Sequence, residues 1–594
     1  MKAKLTLDNI PEYTFIEDWQ WESVFDVWYL KFSITIEETK DIDKTTYWVA
    51  TVKADYPYGD IEIYPDAEKG ITDTYPHQSN NGIMPKNDIW KSGKLCLDYQ
   101  KFGSEQLPLN DIYRLQWYVF RAVRWVRKAN ESVLLEVGDW FELPMFAKRE
   151  RINFAYQEDE GSYYIWGDSL EIHGEHYGFT KIETINSINC VVEYNTISGK
   201  IIYAPVWGEY VNQSVRKNKN AIGAWIYLND IPVINKWQAP NTFGELKQVF
   251  SEQGLQLKDV LTKLFSKFRD SKKHFLLIGF PIPKKLGGEP SVICWKTLLL
   301  PVLSSKNNCA KGFRPNEKGW LRRDFSALLS DEMKLHWCQT DNCSEQYVYS
   351  RGKYEKSITQ KKYLVIGAGS LSSFLCEQFV RNGVNNLRIM DSDTLEAGNL
   401  SRHSLSVDDI GTNKAHSLAR HLNSISIHAN IKSIEYNFYD GCVERLKEEY
   451  SPDVIIDCTA EEGVLKTLEN SCFKSSALLF SLSVGFDANP LYLAASKLSL
   501  FIYNDFVKTF KPTISRHLNS IEPNDIPWEG TGCWSPVFPA TTSDMLLASA
   551  TAANIIAAYL KKDETLPKYF IYEKDYNKEG YLIGYNEVNY DVQG

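Results

Sequence analysis

Hydrophobic and polar residues form a distinct pattern at the start of the chain. The stretches "WYLKFSITIEE" and "TTYWVATVKADYP" are rich in β-branched and aromatic residues, which predicts two strands. A loop rich in Asn, Pro and Gly follows, and then "LNDIYRLQWYVFRAVRWVRKAN" predicts a helix. Its apolar positions recur at helical spacing with arginines around them: Leu115, Val119, Ala122, Val123 and Val126. This order predicts an α+β domain over residues 1–145.

The pattern changes over residues 146–350, which read as a mixed, β-rich domain. The stretch "CVVEYNTISGKIIYAPVWGEYV" predicts a hairpin, and "FGELKQVFSEQGLQLKDVLTKLFSKF" predicts helix. Two apolar runs, "HFLLIGFPIP" and "VICWKTLLLPVL", predict buried strands. Because this region contains no chemical motif, we predict a linker or scaffold domain.

Strand and helix patterns alternate over residues 351–594, which is typical of a parallel α/β sheet. The most apolar run here is "MLLASATAANIIAAYL". It is short and interrupted by Ser, Thr and Asn, so we expect a buried core helix instead of a membrane span. The whole chain is therefore predicted to hold three domains.

Composition narrows the function classes. The 594 residues are 43% hydrophobic and 24% charged, which is typical of globular domains, and the net charge of −10 argues against a nucleic-acid binder. The first residues, "MKAKLTLDNIPEYTF", lack the apolar core of a signal peptide, so we expect a cytoplasmic protein. We expect its 11 cysteines to be reduced. The close pair Cys338 and Cys343 has no second pair to complete a metal site.

A nucleotide-binding pattern begins at "KKYLVIGAGSLSSFLCEQFVRNGVNNLRIMDSD". Gly367 allows a tight turn after the first strand, and Gly369 lets the backbone approach a phosphate. The following helix would direct its free amides at that anion. Asp391 ends the second strand, where a carboxylate accepts hydrogen bonds from a ribose. Together these features predict nucleotide binding.

The next stretch, "SDTLEAGNLSRHSLSVDDIGTNKAHSLARHLN", does not suit a nicotinamide enzyme. Asn399, Arg402 and Lys414 instead suit a triphosphate, whose charge they would neutralise during attack at the α-phosphate. With Asp391 and Asp393, these motifs resemble the ubiquitin-activating/ThiF/MoeB adenylation family.

That resemblance implies a Rossmann-like adenylation domain that uses ATP and Mg²⁺. It implies that Asp391 holds the ribose, and that Asn399, Arg402 and Lys414 contact the phosphates. The family often carries a magnesium-binding Asp after "D-C-T", but "IIDCTAEE" has Ala460 there. Asp457 or Glu461 is then expected to serve the ion.

Cys533 lies in "EGTGCWSPVFPATTSD", between flexible glycines and a proline that discourages helix. Its place along the chain resembles that of the crossover-loop cysteine of activating enzymes. The resemblance implies a nucleophile that captures the activated carboxylate as a thioester. The alternative is a buried structural cysteine beside Trp534.

Cys96 lies in "GKLCLD", which with "ADYPYGDIEIYPD" upstream resembles the active-site region of ubiquitin-conjugating enzymes. The family's His-Pro-Asn triplet is replaced by Lys86, Asn87 and Asp88. We expect Asn87 or Asp88 to take over its role, unless the enzyme dispenses with it.

Other polar residues surround Cys96 in the sequence. We expect Lys91 and Lys94 to lower the pKa of the Cys96 thiol. His77 lies too far upstream to match the triplet, and we expect it to be solvated.

The order of conjugating, linker and activating regions resembles the bacterial fusion enzymes of CBASS antiphage operons. This implies a homodimer that ligates the C-terminus of a cGAS-like nucleotidyltransferase (CD-NTase) to an amine through Cys533 and then Cys96. Three alternatives stay open. They are an activator of a bacterial ubiquitin-like protein, a ThiF-type sulfur-carrier adenylyltransferase, and a scaffold with a degenerate site.

Overall fold

The chain is arranged in two compact units. The computed structural model describes residues 2–37, 39–82, 87–98, 102, 110–217, 221–522, 526–529, 535–537, 539–562, 564 and 566–588. The first unit comprises Met1–Pro205 and Lys219–Ser344. The second comprises Val206–Asn218 and Glu345–Gly594, so the chain enters the second unit briefly before its main part begins.

The N-terminal part of the first unit is an antiparallel meander packed on a long helix. Its elements are α1 (Lys2–Leu7), β1 (Tyr13–Glu22), β2 (Val27–Thr35), β3 (Thr45–Lys53), β4 (Ile61–Pro65) and α2 (Arg114–Asn130). The five apolar positions predicted for one helical face are all buried in α2. Trp125 of α2 meets Trp48 of β3 edge to face, with ring centroids 5.9 Å apart. The predicted α+β arrangement is confirmed.

The central part of this unit is built on an eight-stranded sheet. Its strands are β5 (Lys148–Tyr156), β6 (Tyr177–Ile185), β7 (Ile188–Thr196), β8 (Ile201–Tyr203), β9 (Ala221–Tyr227), β10 (Phe275–Pro283), β11 (Pro290–Leu299) and β12 (Trp337–Asn342). The strand order is β5-β12-β11-β10-β9-β6-β7-β8, and β5 also pairs with β7, which closes the sheet on itself. The helices between α2 and the second unit's main part are α3 (Glu160–His173), α4 (Glu209–Lys217), α5 (Phe243–Glu252), α6 (Leu257–Leu264) and α7 (Glu317–Arg323).

The structure refines two predictions for this region. The stretch 243–268 is helical as predicted and forms two helices, α5 and α6, because Gly254 adopts a left-handed conformation with φ +76° between them. The predicted hairpin ends early, since "EYV" begins α4 at Glu209, and Val211 in this helix is buried. The two apolar runs are strands β10 and β11, as predicted.

The second unit is a doubly wound α/β sheet. Its helices are α8 (Glu345–Val348), α9 (Lys356–Thr359), α10 (Ser370–Arg381), α11 (Lys414–Ile425), α12 (Asp440–Glu449), α13 (Glu462–Glu469), α14 (Tyr503–Ser520) and α15 (Thr542–Lys561). Its strands are β13 (Tyr363–Ile366), β14 (Asn386–Met390), β15 (Asn430–Ile434), β16 (Val454–Asp457), β17 (Leu478–Val484), β18 (Leu491–Lys497), β19 (Trp528–Glu529), β20 (Ser535–Pro536), β21 (Lys568–Tyr576) and β22 (Leu582–Glu587).

The sheet order is β15-β14-β13-β16-β17-β18-β21-β22, and its first five strands are parallel. The chain therefore moves outward from β13 in both directions, which creates a switch point at the carboxyl end of β13.

Helix α15 contains the apolar run singled out in the sequence. Within the described part of the chain, one helix is long and apolar enough to cross a membrane by length and composition, and it is α15. One of its faces is buried in the same core as the parallel strands, through Met545, Ala548, Ala552 and Ile556.

Candidate functional site

A cavity of about 300 Å³ lies in the second unit where β13 gives way to α10. Gly367 has φ +91°, a left-handed conformation that glycine adopts without steric cost. Gly369 is the N-cap residue of α10 and lines the cavity. The free amides and the positive dipole end of α10 are thus at the switch point of the sheet, where doubly wound folds bind nucleotides.

The polar lining includes three of the residues predicted to contact the phosphates. Asn399, Arg402 and Lys414 all line the cavity. Lys414 is the first residue of α11 and also pairs with Asp393, with 3.1 Å between its Nζ and a carboxylate oxygen. Two cationic side chains beside a helix N-terminus form a favourable environment for a polyphosphate.

Asp391 bonds to two turns beside the cavity, the glycine turn and the "DSD" turn. Its carboxylate accepts hydrogen bonds from the backbone amides of Ala368, at 2.6 Å, and Asp393, at 2.7 Å. Its backbone carbonyl accepts a hydrogen bond from Nδ2 of Asn413, whose Oδ1 caps α11. The carboxylate therefore holds the glycine turn against the "DSD" turn. Its contact with a ribose stays a prediction.

His403, which the motif analysis did not select, also lines the cavity. Its Nε2 donates to the carbonyl of Ala368 at 2.8 Å, and its Nδ1 accepts from the amide of Leu405 at 3.2 Å. Burial lowers the pKa of His403, so the ring is neutral at pH 7. Next to it, the Ser370 hydroxyl donates to the carbonyl of Arg402. These bonds join the "NLSRH" segment to the glycine turn.

Asp457 lies at the end of β16 and is fully buried. Its oxygens accept hydrogen bonds from the amide and hydroxyl of Thr459, at 3.0 and 2.6 Å, and from the hydroxyl of Ser481, at 3.0 Å. Burial raises the pKa of Asp457. Ala460, with φ +57°, lines the cavity but offers no ligand atom.

The fit to magnesium is therefore poor. Across the residues that the structure describes, no group of three His, Cys, Asp or Glu side chains could hold a metal. Asp457 is fully buried, and its two oxygens already accept three hydrogen bonds. Its role as a magnesium ligand stays a prediction.

Cys533 lies outside the described residues, within the segment 530–534. The flanking strands β19 and β20 pair antiparallel, Trp528 with Pro536 and Glu529 with Ser535. The role predicted for Cys533 stays a prediction.

Cys96 is in the first unit and is exposed. Its segment pairs with residues 77–79: the amide of Cys96 donates to the carbonyl of His77 at 2.9 Å, and Ser79 donates to Lys94 at 2.8 Å. The side chain of Gln78 adds bonds to the amide of Tyr75 and to the carbonyl of Gly93. The cysteine therefore lies on a short, well-bonded backbone ladder.

Lys94 lowers the pKa of the Cys96 thiol, as expected, but other groups outweigh it. Partial burial and the carboxylates of Glu142 and Asp98 raise the pKa of its thiol, and Lys94 opposes them only in part. Lys94 is paired with Glu62, at 2.9 Å. The ammonium of Lys91 donates to the carbonyls of Gly70 and Ile71, so it is committed to the backbone.

Lys86 and Asn87 are two of the residues that replace the His-Pro-Asn triplet. Lys86 lies outside the described residues. The Oδ1 of Asn87 accepts from the amides of Ile89 and Trp90, which makes it a turn residue. Its Nδ2 is buried and has no hydrogen-bond partner among the described residues. His77 is buried instead of solvated, which corrects the expectation for it.

Comparison with known proteins assigns the two larger regions. A model described as "Cap2 central linker domain" matches residues 132–343, and the ThiF family model matches residues 345–576. The ATP-dependent ubiquitin transferase-like protein Cap2 of Enterobacter hormaechei is 32% identical over 562 residues, which cover 91% of each chain. The chain belongs to the Cap2 family.

More remote matches include Cap2 of Escherichia coli, 24% identical over 47% of each chain. The molybdopterin-synthase adenylyltransferase of E. coli is 28% identical over 21% of this chain and 51% of its own. The solved structure of E. coli MccB with ATP has a TM-score of 0.28 and 15% identity over 39% of this chain and 65% of that chain, too low a similarity to bear on function.

Membership of the Cap2 family makes the protein an ATP-dependent transferase of the ubiquitin transferase-like type, as the motifs predicted. In this Cap2-family chain, the sequence did not predict three features of the nucleotide cavity and the Cys96 region. They are His403, the cavity wall at Leu482–Val484, and the position of His77 beside Cys96. His403 directly follows the "NLSR" motif, which is a signal that could have selected it. The other two depend on pairing between distant segments.

Proposed function

We propose that this protein activates the C-terminal carboxylate of a partner protein with ATP and joins it to an amine on a target. The observation that supports this most directly is the cavity where Asn399, Arg402 and Lys414 meet the glycine turn. A site that places cations around a triphosphate stabilises the charge that develops during attack at the α-phosphate.

In the first step, the carboxylate attacks the α-phosphate, an acyl-adenylate forms and pyrophosphate leaves. Arg402 and Lys414 neutralise the phosphate oxygens, and Asp391 orients the nucleotide through its ribose. Mg²⁺ would supply further charge neutralisation if bound with the nucleotide, and Asp457 is the residue proposed to hold it. Because the fit at Asp457 is poor, no step of the proposed reaction depends on the ion.

In the second step, the Cys533 thiol attacks the adenylate, so a thioester forms, AMP leaves and the thiol proton is released. In the third, the Cys96 thiol attacks that thioester, and the Cys533 sulfur regains a proton. Finally, an amine attacks the thioester on Cys96 to give an amide and a free thiol. One chain that holds both cysteines raises the effective concentration for the third step, provided that the two sites can meet.

The substrate that we propose is the C-terminus of a CD-NTase, and the setting is CBASS antiphage defence in the bacterial cytoplasm, with the enzyme as a homodimer. The sequence resemblance carries these assignments. We also propose the three domains 1–145, 146–350 and 351–594, with the central one as a scaffold. The amide pair of Asn80 and Asn241 joins the Cys96 region to the central part at 3.1 Å, in support of that role.

The relay is tested by incubation with ATP and a CD-NTase, followed by non-reducing gels. We expect Cys533→Ala to block every thioester, and Cys96→Ala to trap the thioester on Cys533. Cys472→Ala is a matched control, since Cys472 is another exposed cysteine. A thioester on Cys96 in the Cys533→Ala protein would contradict the proposed order.

A further inference from the structure

His77 and Glu142 form a closely bonded pair beside Cys96. Both oxygens of the Glu142 carboxylate bind His77: one accepts from its backbone amide at 3.1 Å, and the other binds Nδ1 at 2.8 Å. The His77 side chain is only 10% exposed. Its φ of +56° lies in the left-handed region, which is costly for a residue with a side chain and is concentrated at functional sites. The carboxylate thus holds both the backbone and the ring of His77.

The backbone ladder places this pair next to the thiol. Gln78 and Leu95 are partners in an antiparallel bridge. The next pair in this register is His77 and Cys96, and the amide of Cys96 donates to the carbonyl of His77. The charge of Glu142 also acts on the Cys96 thiol. Thiol, imidazole and carboxylate therefore share one small region of the first unit.

The proposed reactions at Cys96 need a group that exchanges protons near pH 7. The thiol must lose a proton when it attacks a thioester, and its sulfur regains one when an amine displaces it. Imidazole is the side chain best suited to both transfers at neutral pH. Because Nδ1 is bonded to Glu142, the proton exchange falls to the other ring nitrogen, Nε2.

We propose that His77, oriented by Glu142, transfers protons to and from the reacting groups at Cys96. This rests on the proposed thioester function of Cys96. In acyl transfer, the S–H bond of Cys96 breaks, Nε2 takes the proton and the new thioester bond forms. The proton then passes to the departing thiolate.

Several other charged groups surround the site. The charge of Asp98 acts on the thiol, and this carboxylate accepts a hydrogen bond from the Tyr118 hydroxyl at 3.2 Å. The charge of Lys94 also acts on the thiol, while its ammonium is paired with Glu62. Arg121 donates to the carbonyl of Leu97 at 2.7 Å. None of these groups has a usual pKa near 7, so they set the field while the imidazole carries the proton.

The test uses the full-length chain without ATP and a small probe, the thioester of N-acetylglycine with mercaptoethanesulfonate. Acylation of Cys96 is followed by mass spectrometry of its peptide from pH 7 to pH 10. We expect His77→Gln to slow acylation at pH 7 by at least about tenfold. The deficit should shrink as pH rises, because the thiolate then forms without a base. His336→Gln is the matched control, since His336 binds Glu150 at 2.8 Å elsewhere in the same unit.

Glu142→Gln provides a second, independent variant. Loss of its charge lowers the pKa of the thiol and by itself would speed acylation at pH 7. We expect slower acylation, because a glutamine amide donates to Nδ1 and so selects the tautomer that cannot accept a proton at Nε2. Circular dichroism of both variants should match that of the unmodified chain.

Three results would overturn the proposal. They are a rate unchanged in both variants, a deficit of the same size at every pH, and faster acylation in Glu142→Gln. Failure of the unmodified chain to be acylated at Cys96 would overturn this proposal together with the thioester role of Cys96. Failure of the ATP-dependent relay at Cys533 leaves the probe reaction intact, so the two failures are distinguishable.

Discussion

At the scale of single residues, Arg402 and Lys414 account for the positive charge of the cavity lining. Each comes from a different segment, Arg402 from the 3₁₀ turn Ala397–Arg402 and Lys414 from the start of α11. Their convergence depends on the bonds that His403 and Ser370 make between the glycine turn and the "NLSRH" segment.

We predict that Lys414→Ala weakens ATP binding by at least about tenfold, because a charge-assisted contact to phosphate is lost. Calorimetric titration of the full chain with ATP measures this. The fold should be little affected, since the partner Asp393 is largely exposed and such pairs contribute little stability. Arg381→Ala, at the far end of α10, is the control. Equal losses in both variants would contradict the assignment.

At the scale of elements, the turn between β13 and α10 carries two glycines with different physical roles. Gly367 has φ +91°, and a Cβ there would lie 3.2 Å from Cγ2 of Thr459. Gly369 has ordinary φ, and a Cβ there would meet nothing within 4 Å while facing the cavity.

We therefore predict that alanine at one glycine affects stability and that alanine at the other affects ATP binding. Gly367→Ala should lower the free energy of unfolding by about 1–2 kcal/mol through left-handed strain. Gly369→Ala should keep the unfolding temperature but weaken ATP binding, because its methyl group occupies space beside the phosphates. Differential scanning calorimetry and ATP titration distinguish the two effects. A destabilised Gly369→Ala with normal ATP affinity would contradict this division.

The junction of β5 and α3 contains a buried acid, Glu158, in an aromatic cluster. One oxygen accepts from the indole nitrogens of Trp166 and Trp295, at 3.0 and 2.8 Å, and the other accepts from the Ser162 hydroxyl at 2.5 Å. Burial raises the pKa of Glu158 to about 8 in spite of these bonds.

The pKa of Glu158 is higher in the folded chain than in the unfolded chain, so the protonated acid favours folding. This contribution to stability is complete below the unfolded pKa and is lost as pH rises toward 8. We predict that the free energy of unfolding falls by up to about 1.4 kcal/mol per pH unit over this window. Glu158→Gln keeps the shape and both indole hydrogen bonds, and its NH₂ group donates to the Ser162 hydroxyl instead of accepting from it. It should therefore flatten the pH dependence and be relatively more stable at pH 9 than at pH 5. Chemical denaturation at several pH values tests this, and parallel curves for both proteins would refute it.

At the scale of the whole molecule, the chain does not complete one unit before it starts the next. Residues 206–218 belong with the adenylation region, although they lie between β8 and β9. The amides of Gly208 and Glu209 donate to the carbonyls of Ile427 and Ala429, at 2.8 and 2.7 Å. A Cβ at Gly208 would lie 2.6 Å from the Ala429 oxygen.

We predict that Gly208→Ala opens this contact and speeds hydrogen exchange of the amides at 206–212. A methyl group cannot be accommodated that close to backbone atoms, so the segment must shift. Gly167→Ala is the control, because a Cβ there meets nothing within 4 Å. Exchange that is unchanged in Gly208→Ala, measured by mass spectrometry on the full chain, would contradict the predicted attachment.

Local patterns in the sequence determined much of this protein. Helical spacing in α2, apolar runs in β10 and β11, and the glycine turn of the nucleotide site are all short-range features, and each specifies its own element. The adenylation motifs could be recognised because their residues follow one another within a single α/β unit. Their roles at the nucleotide, and that of Cys533, stay predictions.

Only the tertiary structure decided what depends on contacts between distant segments. The pKa of the Cys96 thiol is raised by burial and by Glu142 and Asp98, which together outweigh Lys94. His77 lies beside Cys96 because two stretches of backbone pair, and its ring is held by a carboxylate from beyond α2. No spacing in the sequence encodes such a register, since it results from how the whole unit packs.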